Sequence, residues 1–356
     1  MRIPKIILAF LFISSLLGGC ASPTSTPKTP LVVFAAGSLI KPFHELEDAF
    51  EAKYPNIDVQ SEYHGSIQVM RHVTDLHEQI DVVATADVSL IPMIMYQTLD
   101  SESGKPYADW YIHFATNKLG IAYNKNSKYR DEINSSNWYE VLSRPDVRVG
   151  IADPRFDASG YRSLMAFALA NKYYSDPKIF SRMFNGRVNP PITLFREEGL
   201  STVTVPEVIE TVPDSGLVMR GASVELLSLL ESGELDYAFE YESVIQQHGL
   251  NLLALPDELN LGSENKDYNW VEVLLDFQRF SKVKPIFKGE QIGYGITIPT
   301  NAVHSKDAEL FIQFLLGPEG RTIMMANGQP VFKEPVCVNF DKIPQDLQKM
   351  CVPLKP

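Results

Sequence analysis

The chain has 356 residues, 45% of them apolar and 21% charged, which is an ordinary globular composition and enough for two domains with full-sized cores. Its formal net charge of −12 argues against nucleic acid or an anionic membrane surface as a partner. A small anion is not excluded, because local N–H dipoles, not net charge, govern a desolvated pocket.

The first 19 residues are predicted to be a signal peptide. Two basic residues precede an apolar run that is too short to span a membrane. The run ends in Leu17-Gly18-Gly19-Cys20, which resembles the lipobox of bacterial and archaeal surface lipoproteins and implies a lipid anchor on Cys20. A plain cleaved signal with an incidental cysteine is the alternative. Residues 20–30 are rich in Ser, Thr and Pro, and we expect them to form an extended tether.

The first element after the tether is a strand that runs through small residues into a helix. Residues 31–35 are apolar and β-branched, which is typical of a buried parallel strand. Gly37 and Ser38 follow, and apolar residues then recur at helical spacing over 39–50. Unpaired N–H groups at such a helix start can hold an anion. The alternative is that Ser38 only caps an ordinary helix.

Two further strand–helix units follow, over 58–76 and 81–95, and the first of them has Ser66 at its junction. Three consecutive units of this kind predict a doubly wound parallel sheet. Ligands of such sheets sit at the carboxyl ends of the strands, which is where Ser38 and Ser66 are expected. Two serines at equivalent turns favour a binding role.

The middle of the chain is predicted to build a second α/β unit. Two strands over 110–124 suggest a crossing near Thr116, and residues 148–154 repeat the junction with a carboxylate, Asp153. A later strand ends at Tyr241, and residues 293–299 form a strand that we expect to cross back.

Two cysteines, Cys337 and Cys351, remain near the end of the chain. Outside the cell such a pair favours a disulfide, and closing a loop of about 15 residues would contribute roughly 3 kcal/mol.

Together these stretches resemble an extracytoplasmic solute-binding protein of an ABC importer, of the molybdate/tungstate-binding ModA/WtpA type. The resemblance extends over most of the chain from Leu31 to about Val331. Each motif is weak alone, but the set is specific: Phe34-Ala-Ala-Gly-Ser-Leu, Gly65-Ser66, Val82-Val-Ala-Thr-Ala-Asp87, Gly150-Ile-Ala-Asp-Pro154, Leu230-Glu-Ser-Gly-Glu-Leu-Asp-Tyr-Ala-Phe-Glu-Tyr241 and Gly317-Pro-Glu-Gly320.

The resemblance implies an α/β, type II periplasmic-binding-protein-like fold of two lobes. Each lobe would be a mostly parallel sheet flanked by helices, with a hinge of crossing strands. The expected limits are residues 31–115 for the first part of lobe 1 and 116–297 for lobe 2. The chain would return to lobe 1 over 298–356, which includes a C-terminal tail.

The family pattern, carried over by position, implies that an oxyanion is held between the lobes. One lobe would supply N–H and hydroxyl groups, and the other an acid, an N–H group and a phenol. In this sequence the oxyanion-binding positions are Gly37, Ser38, Ser66, Asp153, Pro154, Arg155, Ser223 and Tyr241.

Asp153 is the most informative of these positions. A buried carboxylate repels a dianion by several kcal/mol unless it is protonated or bonded to a metal. Tungsten(VI) or molybdenum(VI) accepts extra oxygen ligands, so Asp153 is a possible direct ligand; the alternative is a helix N-cap. The six-coordinate branch of the family has a glutamate 18 positions before the binding tyrosine, where this chain has Ser223. Glu225 lies two positions away and is a weaker candidate ligand. We expect Glu240 and Glu242 to face away from Tyr241, because strand residues alternate.

The resemblance therefore predicts a monomeric, lipid-anchored carrier on the outer face of the membrane that delivers tungstate or molybdate to an ABC permease, without a cofactor. Alternatives in the same class bind another oxyanion, such as sulfate or phosphate, or ferric iron. A sensor or adhesin on the same fold stays open. A surface-anchored hydrolase is disfavoured, because Ser38 and Ser66 lack the Gly-x-Ser-x-Gly elbow.

Overall fold

The computed structural model describes residues 27–277 and 285–355. The predicted signal peptide, the proposed lipid attachment at Cys20 and most of the tether lie outside the described residues. Among the residues that are described, no helix has the length and apolar character needed to cross a membrane.

The strands are distributed along the whole described chain and form four sheets. They are β1 (Thr29–Ala36), β2 (Ile57–His64), β3 (Val82–Thr85), β4 (Tyr111–Thr116), β5 (Leu119–Tyr123), β6 (Val149–Ala152), β7 (Val188–Asn189), β8 (Thr193–Glu197), β9 (Leu200–Pro206), β10 (Glu210–Thr211), β11 (Leu217–Arg220), β12 (Tyr237–Tyr241), β13 (Asn251–Ala254), β14 (Val271–Asp276), β15 (Ile286–Lys288), β16 (Gly293–Thr297), β17 (Val331–Val338) and β18 (Val352–Pro353).

Helices connect these strands and cover the sheets. They are α1 (Ile40–Lys53), α2 (Ser66–Thr74), α3 (Trp138–Leu142), α4 (Ala158–Tyr173), α5 (Ile179–Phe184), α6 (Glu225–Glu231), α7 (Glu242–Gln247), α8 (Ser305–Leu316), α9 (Pro318–Ala326) and α10 (Gln345–Gln348). Short 3₁₀ turns lie at Gly37–Leu39 and Phe340–Lys342, and a π turn lies at Ile91–Met95.

The first lobe is built on a seven-stranded sheet in the order β18-β17-β4-β16-β3-β1-β2. Strands β1, β2 and β3 are parallel, as predicted, whereas β16 runs antiparallel between β3 and β4. Ala36 pairs with His64, and Ala35 pairs with Ala84. This register brings the carboxyl ends of the three parallel strands to the same edge of the sheet.

The second lobe contains a five-stranded sheet, β11-β6-β12-β5-β13, and a four-stranded sheet, β15-β14-β9-β8. Helix α4 contacts strands of both sheets, and its residues 158–171 are buried on all sides. Most of these residues are apolar, as expected for a helix that faces no solvent, and Arg162 is the charged exception. The second lobe therefore presents a rigid helix N-terminus at the edge where β6 and β12 end.

The chain passes between the lobes after β4, since β4 belongs to the seven-stranded sheet and β5 to the five-stranded sheet. The predicted crossing near Thr116 is confirmed. Strand β16, which we expected to cross back, pairs with β3 and β4 in the first lobe. The residue limits given above for the lobes stay predictions.

The C-terminal tail adds β17 and β18 to the edge of the first-lobe sheet. Cys337 in β17 and Cys351 form a disulfide with their Cα atoms 5.7 Å apart.

Candidate functional site

The candidate site begins where the parallel strands of the first lobe end. Ser38 follows β1 and is 4% exposed, and its hydroxyl shares a hydrogen bond with the phenol of Tyr294, with 2.8 Å between the oxygens. Ser66 follows β2, and its hydroxyl accepts a hydrogen bond of 3.1 Å from the backbone N–H of Ala86, which follows β3. The turns after β2 and β3 are thereby joined to each other, and the turn after β1 is joined to strand β16.

The two lobes touch directly at this edge. The backbone N–H of Ile67 donates to the carbonyl of Phe156 at 3.0 Å. A Cβ added to Gly65 would lie 2.4 Å from the same carbonyl oxygen. A Cβ on Gly37 would lie 3.3 Å from the side chain of Val224. Glycine at position 65 is thus required for the close approach of the two backbones.

Tyr241 lies at the end of β12, is 1% exposed, and connects to the first lobe through Arg162 of helix α4. Arg162 Nη1 donates to the Tyr241 phenol oxygen at 2.6 Å and to the carbonyl of Ala86 at 2.6 Å. Burial would lower the pKa of Arg162, but the neighbouring Tyr241 and Asp87 outweigh it and raise the pKa above its ordinary value. A permanently charged guanidinium therefore lies between the lobes.

Tyr294 joins the site to the crossing segment. Its phenol oxygen accepts a hydrogen bond from Asn117 Nδ2 at 3.1 Å, and the same nitrogen donates to Ser243 Oγ at 2.8 Å. Asn117 lies between β4 and β5, where the chain passes from one lobe to the other. The rings of Tyr241 and Tyr294 have centroids 6.2 Å apart. The site and the hinge thus share one hydrogen-bond network.

The Asp153 carboxylate is bound by Arg155, and its role at an oxyanion stays a prediction. Arg155 donates to this carboxylate from the backbone N–H at 2.9 Å, from Nε at 2.9 Å and from Nη2 at 2.5 Å. In the part of the chain that the structure describes, all hydrogen bonds to this carboxylate come from Arg155. The Asp153 acid and the Arg155 N–H, both predicted to meet an oxyanion, satisfy each other, and Pro154 forms the turn between them.

Asp157 is the carboxylate that faces both Ser223 and the start of helix α4. It is the N-cap of α4 and accepts the N–H of Ser159 at 2.8 Å through Oδ1. Its Oδ2 accepts the N–H of Ser223 at 3.2 Å. Burial raises the pKa of Asp157, and these N–H donors offset part of that rise. The sequence singles out Asp157 only through the preference of Asp for N-caps.

Ser223 lies in the site, whereas Glu225 does not reach it. Ser223 is 2% exposed, and its backbone N–H donates to the Asp157 carboxylate. Glu225 is the first residue of α6 and its side chain is exposed. Glu240 is buried, and its carboxyl group accepts the backbone N–H of the next residue, Tyr241, at 2.6 Å. That the Glu240 and Tyr241 side chains lie on opposite faces stays a prediction.

Burial raises the pKa of Glu240 to about 8, with Asp157 adding to the rise. In the unfolded chain this carboxyl group ionises above about pH 4.5, whereas in the folded protein it stays neutral until about pH 8. Its contribution to the free energy of unfolding is therefore complete below about pH 4.5 and is lost as pH rises to about 8. The free energy of unfolding of the wild type should therefore fall between pH 5 and 8. We expect Glu240→Gln to reduce this fall by a few kcal/mol, since each pKa unit corresponds to about 1.4 kcal/mol. Urea unfolding at four pH values measures this.

Glu225→Gln serves as the control for Glu240→Gln and should reproduce the wild-type pH profile, since the Glu225 side chain is exposed. Parallel profiles for Glu240→Gln and the wild type would contradict the buried neutral state of Glu240.

The structure brings Gly37, Ser38, Ser66, Ser223 and Tyr241 to one edge between the lobes. Three further side chains that the sequence analysis did not predict lie at the same edge. We call the predicted residues and these three side chains together the interlobe cluster. The added side chains are Asp157, Arg162 and Tyr294. Within residues 27–277 and 285–355, no group of three or more His, Cys, Asp or Glu side chains is placed to hold a metal ion by itself.

Two α/β lobes joined by crossing strands, with buried polar groups from both lobes meeting between them, define a solute-binding protein of the type II periplasmic class. Residues 31–329 match the family described as bacterial extracellular solute-binding protein, and the chain belongs to this family.

Similar proteins cover nearly the whole chain. A solute-binding protein of Staphylothermus marinus is 36% identical over 353 residues, 98% of this chain and 97% of that protein. The molybdate/tungstate-binding protein WtpA of Thermococcus kodakarensis is 37% identical over 362 residues, 98% of this chain and 96% of that protein. The periplasmic molybdate-binding protein of Azotobacter vinelandii has a similar fold, with a TM-score of 0.54 and 14% identity over 85% of this chain and 100% of that one.

Proposed function

We propose that this protein is an extracytoplasmic carrier that captures tungstate or molybdate between its two lobes and delivers it to an ABC permease. The observation that carries the proposal is the interlobe cluster, in which one buried guanidinium, Arg162, bonds to the Tyr241 phenol of its own lobe and to the Ala86 carbonyl of the other lobe. The Ser66 hydroxyl bonds to the N–H of the same residue, Ala86. The WtpA relative, 37% identical along the whole chain, supports the choice of anion.

The cluster has the donors that a tetrahedral dianion requires. The N–H groups at the starts of α2 and α4 carry the positive end of the helix dipole. The Ile67 N–H donates to the Phe156 carbonyl and the Ser159 N–H to Asp157, and an entering anion would take over such donors. Ser38, Ser66 and Ser223 add hydroxyl groups, and Arg162 adds a charge that burial strengthens. When the lobes close, fixed hydrogen-bond donors from both lobes would replace the water molecules that surround the anion.

We assign the role of oxygen ligand to the metal to Asp157 in place of Asp153. A carboxylate beside a dianion is repulsive unless it is protonated or bonds to the central atom. Tungsten and molybdenum accept an additional oxygen ligand, whereas sulfur and phosphorus in their oxyanions do not. Asp157 therefore gives the site a means of preferring tungstate and molybdate over sulfate and phosphate.

The same contacts favour a carrier over an enzyme. A hydrolase needs a nucleophile beside a base that an acid orients. The Ser38 hydroxyl bonds to a phenol, and the Ser66 hydroxyl accepts a backbone N–H. We further propose that the protein acts as a monomer held to the outer face of the membrane by a lipid on Cys20, and that the closed lobes dock on the permease.

Calorimetric titration of the chain from residue 27 onward with tungstate, molybdate, sulfate and phosphate tests the proposal. We expect tungstate and molybdate to bind at least about 100-fold more tightly than sulfate or phosphate, which corresponds to about 2.7 kcal/mol. Equal competition by sulfate would exclude a bond between Asp157 and the central atom. Absence of binding by all four anions would reject the proposed function.

A further inference from the structure

Asp87 of the first lobe makes contacts with the second lobe that the binding function above does not use. It follows β3 and is 3% exposed. Its Oδ1 accepts two hydrogen bonds within its own lobe, from the N–H of Ser89 at 2.8 Å and from Ser89 Oγ at 2.7 Å. Its Oδ2 accepts the phenol of Tyr161 and pairs with Arg162 Nη2 at 3.2 Å. One carboxylate thereby joins its own lobe to two consecutive residues of helix α4.

The second-lobe partners of Asp87 are held in place independently. The ring of Tyr161 stacks on Phe287 with centroids 4.0 Å apart and an interplanar angle of 6°. Arg162 lies in the helix between the two second-lobe sheets and is 3% exposed. Both side chains therefore belong to the rigid body of the second lobe, and Asp87 meets them only when the lobes are in contact.

Arg162 connects this contact to the oxyanion site. Arg162 has an ion-pair partner, Asp87, and a hydrogen-bond acceptor, the carbonyl of Ala86, in the first lobe, and it donates a second hydrogen bond to the phenol of Tyr241. Because a guanidinium is planar, fixing Nη1 and Nη2 on the first lobe fixes its orientation toward Tyr241. The geometry at the site thus depends on the contact between the lobes.

We propose that Asp87 is a positioning residue that couples lobe closure to the hold on the oxyanion. With the lobes together, Asp87 orients Arg162 and accepts Tyr161, so opening the cleft breaks two buried charge-assisted contacts. With the lobes apart, Arg162 stays on the second lobe with its charge free to attract an incoming anion. Asp87 therefore sets the rate at which the anion leaves and has little influence on the rate at which it enters. This inference rests on the proposed function.

Stopped-flow fluorescence with tungstate, followed by displacement with excess molybdate, gives the association and dissociation rate constants separately. We expect Asp87→Asn, which keeps the shape but loses the charge, to raise the dissociation rate constant about 10- to 100-fold and to change the association rate constant less than about 3-fold. Tyr161→Phe keeps the ring stack, loses one donor to Asp87, and is expected to raise the dissociation rate constant about 3- to 10-fold. It also serves as the test if Asp87→Asn does not fold.

Asp236→Asn is the matched control. Asp236 is 4% exposed and accepts N–H groups of Arg148 at 2.8 Å and Lys128 at 3.2 Å, all within the second lobe. The Asp236→Asn variant should have a lower melting temperature than the wild type and unchanged association and dissociation rate constants. A merely structural role for Asp87 predicts the same pattern for Asp87→Asn, and that result would overturn the inference.

Small-angle scattering without added anion separates this inference from the proposed function. We expect Asp87→Asn and Tyr161→Phe to have a larger radius of gyration than the wild type, because the closed arrangement loses contacts between the lobes. Scattering and dissociation rates equal to those of the wild type in both variants would overturn the inference. If the wild type binds neither tungstate nor molybdate, the proposed function fails, and the scattering alone decides whether Asp87 couples the lobes.

Discussion

Gly65→Ala is expected to reduce tungstate and molybdate affinity about 10- to 100-fold, and the anion-free protein is expected to part its lobes rather than unfold. The new Cβ would lie 2.4 Å from the carbonyl oxygen of Phe156 in the other lobe, and both groups are backbone-fixed. Overpacking of this kind typically costs 1–3 kcal/mol, and each 1.4 kcal/mol is tenfold in affinity. Alanine itself fits the backbone at position 65, where φ is −60° and ψ is 143°. The Gly65→Ala substitution therefore opposes only the approach of the two lobes.

Gly289→Ala is the control for Gly65→Ala because it creates the same kind of clash within one lobe. Its Cβ would lie 2.3 Å from the carbonyl oxygen of Tyr268, beside the four-stranded sheet. We expect a lower melting temperature but unchanged affinity of the folded fraction. Calorimetric titration and thermal unfolding of both variants measure the contrast. Wild-type affinity in Gly65→Ala would show that the anion does not require contact between Gly65 and Phe156.

The sequence was most informative about the first lobe, because its signals are local. Apolar runs predicted β1 and β3 and an alternating pattern predicted β2, and the parallel pairing of the three strands confirms the prediction. The crossing after Thr116 followed from two adjacent strand patterns. The antiparallel insertion of β16 between β3 and β4 depends on contacts between residues about 200 positions apart, which no local pattern encodes.

The polar residues of the interlobe cluster also divide into those that the sequence indicated and those that only tertiary contacts reveal. Ser38 and Ser66 follow strands at turns of small residues, which local patterns indicate, and Tyr241 was assigned by the family resemblance. Arg162 lies in a helix whose residues 158–171 are buried, and no local pattern shows that its guanidinium reaches the first lobe. Tyr294 joins Ser38 across 256 positions of sequence. Arg162 and Tyr294 act through tertiary contacts, which cannot be predicted from local sequence patterns.

Asp157→Asn is expected to lower tungstate and molybdate affinity about 10- to 100-fold, whereas Asp153→Asn should change it less than about 3-fold. Both aspartates follow β6 and are nearly buried, so the pair is matched in position and chemistry. Asparagine caps a helix about as well as aspartate, so Asp157→Asn keeps the Ser159 N–H bond and the start of α4. The variant removes a charged oxygen from the site without removing the cap. Asp153→Asn instead weakens the pair with Arg155, outside the interlobe cluster.

The selectivity of the two variants separates a metal ligand from a nearby charge. If Asp157 bonds to the central atom, Asp157→Asn loses most of the preference for tungstate over sulfate, because sulfate never used that bond. If Asp157 were only a repulsive charge, its removal would strengthen binding of all four anions. Calorimetric titration of each variant with tungstate and sulfate distinguishes these outcomes. A loss confined to Asp153→Asn would return the ligand role to Asp153 and would require Arg155 to release it when the anion binds.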